Sequence, residues 1–182
     1  MNSALCISSL FLASSLILFC AESAANDIVG DTCKKIAAST PNVKYDYCMK
    51  SLGSDPNSRT ADIRGLGLIA LNLLENSLTG TCPYIQHLLK QKWDRYVKNC
   101  LLDCSDLYSD SVETMKDAVG SYRAKRYSDA QFLIGTVPTN VDTCESQFKE
   151  KKGAVSPLTK QNKDAAQLSF MAFATVAIVR GS

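Results

Sequence analysis

Histidine is nearly absent from this chain of 182 residues: His87 is the only one. A His-rich zinc site is therefore excluded, and a Ser-His or Cys-His nucleophile pair has one candidate base at most. His87 sits beside Leu88 in a helical pattern with no motif around it, which reads as a surface or boundary position. No Asn-x-Ser/Thr sequon occurs, so N-glycosylation is not expected. An excess of either charge is lacking too, with 20 Lys and Arg against 18 Asp and Glu, which is no nucleic-acid footprint. Gly65-Leu66-Gly67 is no phosphate loop, because it has neither a preceding strand nor a P-loop lysine; close helix packing is the better reading. Asp103, Asp106 and Asp110 are spaced as a solvated helix face rather than an acid/base pair. The chain offers no case for an enzyme, a metal or a cofactor.

What is present begins with an apolar run from Leu10 to Cys20, followed by small residues and preceded by no charge. This predicts a secretory signal peptide over residues 1–25, cut after Ala25, with Ser23 and Ala25 as the small residues of the site. A membrane anchor is the competing reading, but the run is short for a span. A lipoprotein signal is disfavoured by Leu18 and Phe19 ahead of Cys20. A secreted chain over 26–182 is expected as one domain, with no membrane association after signal removal. Near the C-terminus, Arg180 and the lack of a polar spacer argue against a lipid-anchor signal.

The stretch from Trp93 to Arg126 has no Pro, and its seam residues Val97, Leu101, Cys104, Tyr108, Ser111, Met115, Ala118 and Tyr122 alternate by four and three steps. That is the period of a long bundle helix, which requires partners of similar length. Before it, Asp31 or Thr32 is placed to cap a short helix that Pro41 ends, and Tyr45, Cys48, Met49 and Leu52 mark a second short helix closed by Gly53. Thr60 is expected to cap the first bundle helix, whose seam runs Ile63, Leu66, Ala70, Leu73 and Ser77, flanked by Leu74 and Leu78. Pro83 should interrupt or kink that helix, and the chain should turn near Gln91. A third seam carries Tyr127, Ala130, Ile134, Val137, Val141, Cys144 and Phe148, with a break expected around Gly135 and Pro138. The last helix, with Ala165, Leu168, Ala172, Thr175 and Val179, is apolar on more than one face, as a well-buried helix is.

Six cysteines remain after the signal: Cys33, Cys48, Cys82, Cys100, Cys104 and Cys144. An even number in an exported chain argues for disulfides, although Cys100 and Cys104 lie one helical turn apart and could ligate metal. A bridge from Cys33 to Cys48 would staple two helices too short to persist alone, and closing its 16-residue loop is worth ~3 kcal/mol on the chain-entropy model. A turn near Gln91 would set Cys82 opposite Cys100, and a turn near Tyr127 would bring Cys104 level with Cys144.

The hairpin with Cys33 and Cys48, the phrase SLGSDPNSRTADIRGLGLIA, the LLDCSDLYSDSVETM helix, the VDTCESQF segment and FKEKKGAVSP resemble the plant invertase and pectin methylesterase inhibitors, in order across the chain after its signal. The resemblance implies an all-α fold: an up-down-up-down four-helix bundle preceded by a short helical hairpin. It implies two disulfides at Cys33–Cys48 and Cys104–Cys144. Cys82 and Cys100 depart from that pattern and are either a third bridge or two thiols, with the hairpin geometry on the side of the bridge. It further implies a secreted, cofactor-free inhibitor that blocks pectin methylesterase or acid invertase of the plant cell wall by protein contact. Invertase inhibitors of the family carry a Pro-Lys-Phe motif at the turn between the second and third bundle helices. Here that turn reads Lys125-Arg126-Tyr127-Ser128, which lacks the motif and keeps pectin methylesterase in view. Those four residues are the candidate enzyme contact, since an arginine and an aromatic on an exposed turn are the types enriched at hot spots. A secreted lipid or small-ligand carrier is the alternative. The lipid-transfer pattern of eight cysteines with adjacent pairs is absent after the signal.

Overall fold

The computed structural model describes residues 27–182, so the signal peptide and its cleavage after Ala25 lie outside the described residues. The first helix, α1 (Ile28–Ser39), begins earlier than Asp31 or Thr32 would allow, because Asp27 Oδ1 accepts from Gly30 N–H at 3.0 Å and caps it. It stops before Pro41, and α2 (Tyr45–Leu52) ends at Gly53. A 3₁₀ turn (Pro56–Arg59) follows, and the amides of Thr60 and Ala61 bond back to its Asn57 carbonyl. That leaves Asp62, not Thr60, to cap α3 (Ile63–Leu89), with its Oδ1 2.7 Å from Gly65 N.

Pro83 does not interrupt α3, which runs unbroken through it. Both Pro83 and Thr79, whose carbonyl loses its partner, are exposed, so the break in the hydrogen-bond ladder falls on the solvent side of the helix. The long helix α4 (Arg95–Arg123) starts at an Asp94 cap. The third bundle element divides where Gly135 and Thr136 interrupt it, into α5 (Tyr127–Ile134) and α6 (Val137–Lys149), with Pro138 in the first turn of α6. After Pro157 the chain forms α7 (Thr159–Arg180).

Helix α3 packs against α4 and α7, and α5–α6 packs against the same two helices from the other side, giving four bundle elements that run up, down, up and down. The α1–α2 hairpin lies against α3 and α7. All eight seam residues of α4 are buried. On α3 the expected seam residues Leu66 and Ala70 and the flanking Leu74 and Leu78 are fully buried, as is Leu71, whereas Leu73 and Ser77 of the seam are half-buried. The reason is that α3 touches α4, α7 and the hairpin, so its apolar stripe is wider than one seam. Inside the bundle, Tyr108 is fully buried with its hydroxyl donating to Asn162 Oδ1 at 2.9 Å, and Asn162 Nδ2 donates in turn to Glu145 at 2.8 Å.

Disulfides join Cys33 to Cys48 and Cys104 to Cys144, with Cα separations of 5.5 and 5.0 Å. The third bridge does not form: Cys82 and Cys100 are free. Register decides this. Gln86 Nε2 reaches Ser105 Oγ at 2.9 Å, and Tyr122 Oη reaches the Arg64 carbonyl at 2.7 Å, so Cys82 lies level with Ser109, which lines a groove with it. Cys100 is then about two and a half turns farther along α4, or ~13 Å, well beyond the ~7 Å limit for a bridge. The chain does turn at Lys90 and Gln91, and residues 92–94 lead from there into α4.

Candidate functional site

The candidate contact residues sit at one end of the bundle, where α4 turns into α5. Helix α4 ends in a Schellman arrangement: Lys125 N–H donates to the Tyr122 carbonyl and Arg126 N–H to the Ser121 carbonyl, both at 2.9 Å. The motif demands a left-handed residue, and Lys125 takes it at φ 61°, the one non-glycine with positive φ among the described residues. A lysine is thus held, exposed, where glycine would relax the backbone.

Arg126 is also exposed and leads into α5; its guanidinium lies 3.6 Å from Asp129 and 3.3 Å from Ser121 Oγ. A pair this solvated adds little stability. Tyr127 is half-buried and packs against Tyr122, with ring centroids 5.2 Å apart and planes tilted by 59°. Ser128 is exposed in the first turn of α5.

Beneath these residues, Tyr122 is buried and crosses to α3, where its hydroxyl lies over Gly67 and donates to the Arg64 carbonyl. A Cβ at position 67 would collide with that hydroxyl, which is why the position needs glycine. Burial, and next the neighbouring Tyr127, push the ionisation of Tyr122 far above the usual tyrosine value, so it remains a neutral donor.

The two tyrosines form the floor of a groove of about 300 Å³ that is also lined by Arg64, Leu68, Arg123 and Lys125. None of these three cations has a carboxylate partner within ion-pair distance among the described residues. The arrangement is an aromatic platform with three cations around it that make no ion pair, and Asp62 as the nearby acid, suited to a partner surface that presents carboxylates. Sequence reasoning singled out Lys125, Arg126, Tyr127 and Ser128 but missed Arg64 and Arg123. Arg64 comes to the groove only because the first turn of α3 packs beside the last turn of α4. Phe132 was also missed; one turn beyond Ser128, it is 76% exposed, and Phe173 on α7 is exposed as well. Its position between the seam residues Ala130 and Ile134 was the available signal.

Among the described residues no cluster of three or more His, Cys, Asp or Glu could hold a metal ion, and no helix is long and apolar enough to cross a membrane.

The family model for plant invertase/pectin methylesterase inhibitors matches residues 27–175. The chain belongs to that family. It is 45% identical over 148 residues to a Platanus acerifolia protein named "Putative invertase inhibitor", covering 81% of this chain and 83% of that one. A cell wall / vacuolar inhibitor of fructosidase from Arabidopsis thaliana is 29% identical, over 86% of this chain and 83% of its own. A pectinesterase inhibitor from Actinidia deliciosa is 27% identical, over 69% of this chain and 65% of its own. The fold of this inhibitor-family chain matches the crystal structure of a pectin methylesterase inhibitor from Arabidopsis thaliana with a TM-score of 0.60, covering 81% of this chain and 97% of that one at 16% identity.

Proposed function

We propose that the protein is a secreted, non-enzymatic inhibitor of a plant cell-wall carbohydrate enzyme, pectin methylesterase or acid invertase, and that it meets the enzyme through the α4–α5 tip. The family supports the inhibitor class, and the names of the relatives supply both candidate targets. The observation that carries the site is the groove floored by Tyr122 and Tyr127 and ringed by Arg64, Arg123 and Lys125. Tyr127 in its floor and Arg126 next to it in the chain are the candidate hot spots. Lys125 adds a second argument, because its left-handed backbone costs folding energy that a glycine would not, which fits selection for its side chain.

The test is to assay the purified protein against pectin methylesterase and acid invertase side by side, together with two variants. Arg126→Ala with Tyr127→Ala should weaken binding by about 2 kcal/mol or more, roughly thirtyfold in Kd, with helical content unchanged. Lys125→Gly should raise the melting temperature while weakening inhibition. If the wild type inhibits neither enzyme, the inhibitor reading falls. If both variants inhibit at full strength, the tip is not the site, and the face with Phe132 becomes the next surface to probe.

A further inference from the structure

We propose that the outward face of α7 is a docking surface for an amphipathic helix of a partner protein, one whose apolar seam is flanked by carboxylates. Helix α7 carries two seams. Ala165, Leu168, Ala172, Thr175 and Val179 form the one turned to the core, while Ala166, Phe170, Phe173 and Ala177 form a second, spaced by four, three and four. The helices packed around α7 leave this second seam uncovered: Phe173 is 43% exposed, and Ala166, Phe170 and Ala177 are half-buried. Two depressions open onto it. One, of about 280 Å³, lies against α6 beside Ala166; the other, of about 400 Å³, lies against α1 beside Phe173 and Ala177. The seam is thus recessed among its neighbours, with two small residues on either side of two large ones. That relief, at helical period, is the complement of another helix laid into it. A flat lipid surface would bridge the depressions without filling them.

Charge decides what kind of helix fits. Lys163 and Arg180 continue the spacing at the two ends of the seam, about 25 Å apart at the helical rise. Lys149 lines the depression at α6 and Lys35 the one at α1. All four cations are exposed, and none has an ion-pair partner among the described residues. The acids in the two linings are Asp142 and Glu145, and Glu145 already accepts from Thr159 Oγ1 and Asn162 Nδ2, each at 2.8 Å. The surplus is positive, which suits carboxylates on the partner. A second copy of this chain fits badly. Antiparallel contact through this face would set Lys163 against Arg180, and parallel contact would set each against itself, so cation meets cation at both ends. None of these residues lies at the α4–α5 tip, so the surface is separate from the proposed enzyme contact.

The probe is a dye-labelled synthetic peptide of three heptads with leucine along its seam and glutamate flanking it. Its controls are the same peptide with lysine in place of glutamate, and a scramble of the glutamate peptide. Fluorescence anisotropy with the secreted protein should show saturable binding of the glutamate peptide, roughly tenfold or more tighter than either control. Phe173→Ser should weaken it about tenfold, and Lys163→Glu and Arg180→Glu about fivefold each, with melting temperatures unchanged because the replaced groups are exposed. The double variant Lys163→Glu with Arg180→Glu should prefer the lysine peptide, since the end charges are then reversed. Absence of saturable binding, equal binding of the scramble, or full affinity in Phe173→Ser would overturn the proposal. So would a dimer in sedimentation, or binding to phosphatidylserine vesicles in place of the peptide, that Phe173→Ser abolishes. Loss of enzyme inhibition in Phe173→Ser, in step with loss of peptide binding, would overturn it too, because the face would then belong to the enzyme contact.

Discussion

The two ends of the bundle are furnished with the same kinds of side chain and use them differently. At the end where α3 turns into α4, Trp93 Nε1 donates to the Leu88 carbonyl at 2.7 Å, and Asp94 both caps α4 and receives Lys151 Nζ at 3.0 Å. Lys151 also lies 5.3 Å from the centroid of the Tyr96 ring, while Tyr96 Oη donates to the Gln147 carbonyl at 2.6 Å. Trp93 closes the α3–α4 connection on itself, while the Asp94–Lys151 and Tyr96–Gln147 contacts tie that end of α4 to the end of α6 and the loop after it. At the α4–α5 end, Tyr122 again ties a helix to a backbone carbonyl, but Arg64, Arg123 and Lys125 are left unpaired around it. The difference follows from the connections. One end must order two loops, each with its own entropy cost, and side chains hold them. The other is a tight Schellman turn closed by its own backbone, so its side chains are available to a partner.

Several variants would break or sharpen that contrast. The largest effect belongs to the bridge that anchors the α4–α6 pair below the tip. Replacing Cys104 and Cys144 with Ala should cost about 4 kcal/mol in urea unfolding, since 40 residues of sequence separation are released. A loss below about 1 kcal/mol would mean that helix packing alone holds the tip hairpin. Next is Gly67→Ala, whose methyl would strike the Tyr122 hydroxyl and should destabilise by about 2 kcal/mol. A variant as stable as the wild type would show that the close approach is not needed.

Tyr96→Phe, at the tied end, should cost about 1 kcal/mol through the lost bond to Gln147 and leave inhibition unchanged. If it weakened inhibition as much as the tip variants, the division of labour between the ends would collapse. The smallest effect is a pH dependence. The hydrogen bond from Lys151, helped by the amides of Val97 and Tyr96, holds the Asp94 carboxyl below the usual carboxylate range. Its contribution is therefore present above the unfolded value near ~4 and is lost as pH falls through the lower folded value. Asp94→Asn should flatten the acid limb of the stability curve slightly, because the group is exposed; an unchanged limb would remove Asp94 from the account.

Much of this architecture was legible residue by residue. The four-and-three spacing from Val97 to Tyr122 named buried positions correctly because that period is a local property of one helix. Gly135 and Pro138 announced the α5–α6 break, and Gly67 was readable as a close-packing glycine, although not as the seat of Tyr122. At the tip, Lys125 to Ser128 could be placed on a turn, but the groove beside them could not be seen. Two of its three cations come from helix ends that the linear text does not relate.

By itself, then, the sequence determined which stretches are helical, which face of α4 is apolar, and that its cysteines and turns suit a stapled all-α bundle. Only the tertiary structure decided how far one helix is displaced along another. That displacement placed Cys82 opposite Ser109 rather than Cys100, and Arg64 beside Tyr122. It also surrounded α7 with α1, α3, α5 and α6. Periodicity is written in angle around the helix axis and carries no information about translation along it. Translation is set by packing across the whole core, which no single segment encodes.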